Sequence, residues 1–213
     1  MSLKKRIAEI AYKNKLGHLG SYFSNVAIID AIYAKMKKDD IFILSSGHAA
    51  LALYVVLEKR KGINAEMLFE KHGGHPHRDE ENFIHCSTGS LGMGLSIALG
   101  RAVADFKRKV YVLVSDGECA EGSIWESLKT IWEEGIYNIE VHVNYNGYAA
   151  YKTVNKNYLV DRLITFLPDI KIHNTTVEQY SFLKGLNAHY HVMNEDNYNE
   201  VLNTPEWEET LQS

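Results

Sequence analysis

The sequence contains few cysteines and few prolines, and it has no long apolar run. Its two cysteines, Cys86 and Cys119, form no Cys-x-x-Cys pair, so neither a zinc ribbon nor a disulfide framework is indicated. This cysteine usage favours a reducing compartment, and we expect a cytoplasmic protein. No stretch approaches the roughly 20 apolar residues that cross a bilayer, so no membrane association is expected. The three prolines form no Pro-rich linker between domains.

The charge of the chain argues against nucleic acid as a partner. The net charge is -4 and no basic stripe occurs, which argues against binding to nucleic acid. The basic opening residues are followed by no apolar stretch, so no signal peptide is expected. Apolar residues make up 46% and charged residues 23% of the 213 positions, as is ordinary for a soluble globular protein. A chain of this length forms one sizeable core, and we predict a single domain over residues 1–213.

Apolar periodicity predicts alternating helices and strands, most clearly in the middle of the chain. The predicted helices are Leu3–Lys15, Asn25–Lys37, Ala49–Glu58, Gly89–Ala104 and Gly122–Glu134. The predicted strands are Ile41–Leu44, Val110–Val114 and Ile139–Val143, and Gly62–Cys86 is predicted as a loop. Weaker patterns near the end predict a helix over Val177–Leu186, a strand over His189–Met193 and a helix over Asn197–Leu202. The central strand–helix–strand unit has the length of a right-handed crossover, so we predict an α/β fold with a mostly parallel sheet flanked by helices.

Two polar residues follow neighbouring strands of this unit. Asp116 comes after one strand and Asn146 after the next, and the carboxyl ends of parallel strands meet at one rim of the sheet. Carboxylate and amide oxygens suit Mg²⁺ or Ca²⁺. Gly117 allows close approach of a phosphate, and the helix expected after it would point its amides there. The alternative is an Asp-Gly turn and an Asn-Gly turn of purely structural meaning.

Several motifs carry a resemblance to a known family. Ser115-Asp116-Gly117, followed thirty residues later by Asn146, resembles the thiamine diphosphate motif that begins Gly-Asp-Gly and ends in Asn. Further blocks occur in the order of the amino-terminal, diphosphate-binding domain of transketolase: Gly17-His18-Leu19-Gly20, Leu44-Ser45-Ser46-Gly47-His48-Ala49, Gly74-His75-Pro76, Ser87-Thr88-Gly89-Ser90-Leu91-Gly92, and Asp116-Gly117-Glu118 with Glu121-Gly122 and Trp125-Glu126. The resemblance covers roughly residues 3 to 200 and implies a thiamine diphosphate-binding fold.

The resemblance also implies a role for particular residues. The metal ligands would be Asp116, Asn146 and the carbonyl oxygen of Tyr148. The cofactor contacts would be Gly89, Leu91, Gly117 and His48. The catalytic residues would be His18, His48 and His75, near the cofactor and the sugar, and Glu121, at the contact between active sites. The family has a further active-site histidine beyond the point that corresponds to residue 200, and we expect that histidine to be missing here.

The activity implied is that of a transferase that moves a two-carbon ketol unit from a ketose to an aldose, with thiamine diphosphate and Mg²⁺ (or Ca²⁺) as cofactors. In the family, the glutamate that activates the cofactor lies on a second, pyrimidine-binding domain. We therefore expect the partner to be a separate carboxy-terminal transketolase subunit, in an α2β2 assembly that acts on sugars.

Several alternatives stay open. Leu19 stands where proline is commoner, and this variant resembles 1-deoxyxylulose-5-phosphate synthase. A 2-oxo acid dehydrogenase alpha chain is another thiamine enzyme to consider, and a non-catalytic subunit that keeps the fold is a third possibility. His72, His75 and His77 could instead suggest zinc, but structural zinc commonly has four ligands and no fourth lies nearby.

Overall fold

A computed structural model describes residues 2–205, which form eight α-helices and four β-strands. The helices are α1 (Leu3–Lys13), α2 (Leu19–Lys35), α3 (Ala50–Lys61), α4 (Ala65–His72), α5 (Met93–Ala104), α6 (Gly122–Glu133), α7 (Lys156–Phe166) and α8 (Glu195–Asn203). The strands are β1 (Ile41–Leu44), β2 (Val110–Ser115), β3 (Ile139–Tyr145) and β4 (Lys171–Asn174). Short 3-10 turns occupy Gly47–Ala49, Glu80–Asn82, Gly117–Ala120 and Gly185–His189. No helix in this part of the chain is both long enough and apolar enough to span a membrane.

The four strands form one parallel sheet in the order β1-β2-β3-β4. Side chains alternate between its two faces, which is why the core is divided into two clusters. Phe42 and Leu44 pack with α1, α2 and α3, whereas Ile41 and Ile43 pack with α5, α6 and α7 on the other face. Helices therefore cover both faces of the sheet, as parallel sheets require. All carboxyl ends of the strands lie at the same edge.

The predicted parallel strand–helix–strand unit is confirmed by β2, α6 and β3. Two predicted boundaries were wrong. The helix predicted from Asn25 begins at Leu19, and its first turns are buried on every side, so they show no apolar period. The helix predicted from Gly89 begins at Met93, because Gly89 (φ +153°) and Gly92 (φ +80°) have backbone conformations that a helix does not accept.

The weak predictions near the end were mostly wrong. Residues 177–184 form bends and turns rather than a helix, and Val177, Tyr180 and Leu183 anchor them in the core at a spacing that imitates helical periodicity. Residues 189–193 do not form a strand, although the final helix is confirmed as α8. The predicted loop Gly62–Cys86 contains α4, and both α7 and β4 were missed. The single-domain assignment stays a prediction.

Candidate functional site

Asp116 directly follows β2 and is 2% exposed. One carboxylate oxygen accepts a hydrogen bond from the amide of Gly117 at 2.9 Å. The other oxygen accepts from the amides of Asn146 at 3.1 Å and Gly147 at 2.7 Å. Burial raises the pKa of Asp116 to about 7, and these backbone donors oppose that rise. The carboxylate thus joins the ends of β2 and β3, as the sequence predicted.

Asn146 and Tyr148 lie on the loop that follows β3. The side-chain oxygen of Asn146 accepts a hydrogen bond from the amide of Tyr148 at 3.0 Å. Gly147 takes a φ of +88°, which allows the chain to turn sharply toward β2. A Cβ added to Gly117 would lie 3.8 Å from the carbonyl oxygen of Tyr148, so this carbonyl faces the Gly117 turn. The structure therefore brings the three predicted metal ligands to one rim.

The donor set at this rim fits a hard divalent cation. It consists of a carboxylate, an amide oxygen and a backbone carbonyl, which are the oxygen types that Mg²⁺ and Ca²⁺ prefer. The hydrogen bonds to Asp116 come from backbone amides rather than from a cationic side chain. Gly117 lets its turn pack closely against the loop after β3, because a Cβ there would lie 3.2 Å from the Cα of Ala149. The helix expected after Gly117 is α6, which begins at Gly122 as predicted, with a 3-10 turn over Gly117–Ala120 before it.

The zinc alternative receives no support. Across residues 2–205, no group of three or more His, Cys, Asp or Glu side chains is arranged to hold a metal ion. His72 is buried and lies 3.1 Å from a carboxylate oxygen of Asp79, whereas His77 is exposed. The contact between His72 and Asp79 joins the end of α4 to the following turn.

Three histidines converge from distant parts of the chain. The ring of His18 lies 5.5 Å from the ring of His48 and 4.3 Å from that of His189, and the last two rings are 5.3 Å apart. The amide of His18 also donates to the carbonyl oxygen of His189 at 2.8 Å. His18 itself has a left-handed conformation (φ +59°) at the start of α2. The turn Gly47–Ala49 supplies His48, and the turn Gly185–His189 supplies His189.

These histidines are neutral at neutral pH. Burial lowers the pKa of His18 to about 4 and the pKa of His48 to about 3, and the neighbouring His189 and His75 lower both further. Burial also lowers the pKa of His189. The Nδ1 atom of His18 is buried without a hydrogen-bond partner in the described structure. The cluster therefore offers neutral rings with hydrogen-bonding capacity left for a ligand.

His189 was not among the predicted site residues, and the expectation about the family histidine beyond residue 200 stays a prediction. His189 lies against both His18 and His48, so the cluster has a member that sequence reasoning overlooked. The predicted strand His189–Met193 concealed it, because a strand assignment gave this histidine no reason to face the start of α2. Only the contact of the turn Gly185–His189 with α2 reveals the position.

The loop before α5 carries Gly89 and Leu91, the predicted contacts at the other end of the cofactor. Gly89 is exposed, and His75 packs on it so closely that a Cβ there would lie 3.0 Å from the imidazole. The hydroxyl of Thr88 donates to the carbonyl oxygen of Leu44 at 2.8 Å, which fixes the loop to β1. The structure thus places Gly89 with His75 at the carboxyl end of β1.

Glu121 and Glu118 occupy opposite environments, although they are close in sequence. Glu121 is exposed at the start of α6 and lies beside Gly92, where a Cβ would be 2.8 Å from its side chain. Glu118 is 0% exposed and accepts hydrogen bonds from Ser45, Gly92 and Ser115. Sequence reasoning quoted Glu118 within a motif but assigned it no role. Its burial could not be predicted, because a charged residue in a turn is usually exposed.

A small cleft lies between the rim and His189 of the histidine cluster. Residues that line it include Gly20, Ser21, Asn146, Tyr148, Ala149 and His189. Asn146 and Tyr148 bring two of the predicted metal ligands, and His189 brings the histidine cluster. The first turn of α2 forms the wall between them through Gly20 and Ser21. One cavity therefore adjoins both parts of the candidate site.

Comparison with known proteins supplies a family and several relatives. A family model described as 1-deoxy-D-xylulose-5-phosphate synthase matches residues 2–202. An apulose-4-phosphate transketolase subunit from Phocaeicola vulgatus is 39% identical over 146 residues, which cover 58% of this chain and 51% of that protein. The 6-deoxy-6-sulfo-D-fructose transketolase subunit SqwG of Clostridium sp. is 30% identical over 145 residues, covering 59% and 53%. The chain spans about half the length of these curated relatives.

Solved structures show the same fold at low identity. Transketolase from Leishmania mexicana superposes with a TM-score of 0.72 at 18% identity, over 93% of this chain and 39% of that one. Transketolase from Campylobacter jejuni gives a TM-score of 0.64 at 21% identity, over 77% and 30%. These likenesses confirm the predicted α/β fold class.

Proposed function

Because the chain belongs to the family described as 1-deoxy-D-xylulose-5-phosphate synthase, we propose that it is the diphosphate- and metal-binding subunit of a transketolase-type thiamine diphosphate enzyme. The resemblance to transketolase predicted from the motifs is confirmed by the curated relatives. The observation that carries the proposal is that one cleft is lined both by Asn146 and Tyr148 of the oxygen-rich rim and by His189, which packs against His18 and His48. The activity would be that of a transferase acting on sugars.

The rim would hold the metal and the diphosphate. Asp116, Asn146 and the carbonyl of Tyr148 would coordinate Mg²⁺ or Ca²⁺, and Gly117 would present its backbone to the diphosphate. Asp116 is preorganised for this task, because three backbone amides fix its carboxylate before any ion binds. The loop with Gly89 and Leu91 would contact the other end of the cofactor.

Thiamine diphosphate, when bound, supplies the chemistry that breaks and forms the carbon–carbon bond of a ketol transfer. The residues of the chain would orient the sugar and exclude water. His18, His48 and His189 are neutral, so each ring can donate one hydrogen bond and accept another, which suits hydroxyl and carbonyl groups. His75, beside Gly89, would extend this surface, and His48 would also contact the cofactor.

A partner subunit would complete the enzyme. Two relatives are named as transketolase subunits, and this chain spans about half their length. On the outer side of α5, Met93, Ile97 and Val103 are exposed, and Gly100 has open space around it. An apolar helix face beside the loop of Gly89 and Leu91 suits a protein neighbour better than water. We assign it to a separate subunit with the pyrimidine-binding half, in an α2β2 assembly, where exposed Glu121 would lie near the contact.

A second candidate function is that of a 1-deoxyxylulose-5-phosphate synthase subunit. The description of the matching family and Leu19 in the Gly-His-Leu-Gly block favour it. The same cofactor site would serve both reactions, so the site cannot separate them. Product analysis with the partner would: transketolase produces a ketose and an aldose, whereas the synthase releases carbon dioxide. A cytoplasmic location stays a prediction.

Calorimetric titration of the full chain with thiamine diphosphate and Mg²⁺ tests the site. Asp116→Ala and Asn146→Ala should each weaken binding by more than the roughly 10- to 100-fold typical of losing an outer-shell partner of a metal. Asp169→Ala, an exposed aspartate before β4, is the matched control and should bind like the wild type. Unchanged affinity in both site variants would falsify the assignment of the rim.

A further inference from the structure

Glu118 is a carboxylate that is completely buried at the edge of the sheet where the cleft lies. Its Oε1 atom accepts hydrogen bonds from the hydroxyl of Ser45 at 2.6 Å and the amide of Gly92 at 3.0 Å. Its Oε2 atom accepts from the amide of Ser115 at 2.9 Å and from the hydroxyl of that serine at 3.3 Å. All four groups donate, so the carboxylate acts only as an acceptor.

The partners of Glu118 belong to three separate segments of the chain. Ser45 follows β1 and leads into the turn that carries His48. Gly92 ends the loop of Gly89 and Leu91. Ser115 ends β2, directly before the metal-binding rim. One side chain therefore links the histidine side, the loop at the far end of the cofactor, and the rim.

The surrounding glycines show how closely these segments approach. A Cβ at Gly94 would lie 2.5 Å from the hydroxyl oxygen of Ser45, and a Cβ at Gly92 would lie 2.5 Å from the hydroxyl oxygen of Ser123. Real Cβ atoms do not tolerate such distances, so α5 can begin here only with glycine at both positions. Within this closely packed region, the amide of Gly92 donates its hydrogen bond to the carboxylate of Glu118.

We propose that Glu118 is a positioning residue that fixes the loop of Gly89 and Leu91 at a set distance from the rim of Asp116. The proposal rests on the proposed function, in which the loop and the rim hold opposite ends of one cofactor. Glu118 touches neither the metal nor the cofactor. It acts through Gly92 and Ser115, and a ligand that spans loop and rim depends on it more than a ligand that touches the rim alone.

Two ligands serve as probes of this difference. Thiamine diphosphate with Mg²⁺ spans both parts, whereas inorganic pyrophosphate with Mg²⁺ contacts the rim only. Glu118→Gln preserves the shape of the side chain, but its amide group is a donor. In either orientation that group faces a backbone amide, of Gly92 or of Ser115, so one hydrogen bond is lost. We expect calorimetry to show thiamine diphosphate bound about tenfold more weakly, the cost typical of one charge-assisted hydrogen bond. Pyrophosphate should bind as in the wild type, because the rim keeps its own backbone bonds to Asp116.

Controls make each outcome decisive. Glu133→Gln, the same substitution at an exposed position of α6, should change neither affinity. If Glu118→Gln does not melt cooperatively, Ser45→Ala replaces it, since it removes one bond and keeps the carboxylate; the same selective loss, smaller in size, is expected. Equal weakening of both ligands, or no weakening, would overturn the role of Glu118. A wild-type chain that binds neither ligand would instead overturn the proposed function, and the role of Glu118 with it.

Discussion

Asp116 and Glu118 are buried carboxylates two residues apart, and their partners separate their roles. Asp116 receives its hydrogen bonds from the rim itself, and its immediate neighbours Asn146 and Tyr148 line the cleft. Glu118 receives its hydrogen bonds from three segments behind the rim. Asp116 therefore belongs to the rim beside the cleft, whereas Glu118 joins three separate segments of the backbone.

Glu140, His142 and His173 form a further polar cluster, which lies under α2 and away from the cleft. The Nε2 atom of His142 lies 2.8 Å from a carboxylate oxygen of Glu140, and its Nδ1 atom lies 2.7 Å from the Nε2 atom of His173. Because a carboxylate only accepts, His142 donates through Nε2, and its Nδ1 then accepts from His173. The Nδ1 atom of His173 is buried with no partner in the described residues. A protonated His173 would place a buried donor there without an acceptor, so the arrangement favours neutral rings.

This pair predicts a dependence of stability on pH. Burial lowers the pKa of His142, and it lowers the pKa of His173 to about 4, with the neighbouring His142 and Lys35 adding to this effect. The other charged or titratable side chains facing the pair are those of Glu140, Lys109, Lys171 and Tyr111. The unfolded chain takes up protons near the ordinary histidine pKa of about 6.5, before the folded chain does. The stability contributed by neutral rings is thus complete above that pH, and it decreases as the pH falls toward 4 by up to about 1.4 kcal/mol per pH unit for each ring.

Denaturant unfolding at a series of pH values measures this effect. His173→Phe removes one titrating ring, so its free energy of unfolding should decrease less than that of the wild type between neutral and acidic pH. His77→Phe, at an exposed histidine, is the control and should follow the wild type. Identical pH profiles for His173→Phe and the wild type would contradict the assignment of neutral, buried rings.

At the scale of elements, sequence patterns predicted those strands and helices whose apolar residues follow a regular pattern of burial. Strand β2 is a continuous apolar run buried on both faces, and α6 buries Ile124, Leu128 and Ile131 at helical spacing. Strand β4 reads Lys171-Ile-His-Asn and pairs at the edge of the sheet, so hydrogen bonding to β3 decides its structure rather than hydrophobicity.

The sequence predicted one part of the candidate site and missed another. Asp116 and Asn146 follow neighbouring parallel strands, and the geometry of such sheets alone brings them together. The meeting of His18 with His189 depends on how an irregular segment packs against α2, which no local pattern encodes. Glu118 was missed for a related reason, since only the tertiary structure reveals its three partner segments.

The exposed face of α5 yields a prediction at this scale. Ile97→Asp places a charge in the middle of the proposed interface, and it should raise the dissociation constant for the partner subunit by roughly 30-fold or more, as loss of an interface anchor does. Sedimentation velocity with the candidate partner measures the association. Ile164→Asp on α7 is the matched control, because Ile164 is similarly exposed on a helix elsewhere. Equal association of both variants would exclude α5 from the interface.

At the scale of the whole molecule, the described chain carries only some of the groups that the proposed reaction needs. The described part of the chain brings the rim of Asp116 and Asn146, the loop of Gly89 and Leu91, and four histidines to one edge of one sheet. In the family, the glutamate that activates the cofactor is expected on a second, pyrimidine-binding domain, which we propose that a partner supplies. A cofactor held only here would keep one side exposed to water, whereas ketol transfer requires an oriented site from which water is excluded.

We therefore predict that the chain alone has no transketolase activity and gains it with a partner. The measurement uses the purified chain with thiamine diphosphate, Mg²⁺ and a ketose–aldose pair, first alone and then with a candidate subunit that carries the pyrimidine-binding half. Turnover should appear only in the mixture. A mixture prepared with His48→Ala should lose turnover although the variant melts like the wild type, because His48 is proposed to contact the cofactor and the sugar and belongs to neither hydrophobic core cluster. If the isolated chain turns over as fast as the mixture, the enzyme is not divided between two subunits, and the exposed face of α5 needs another explanation.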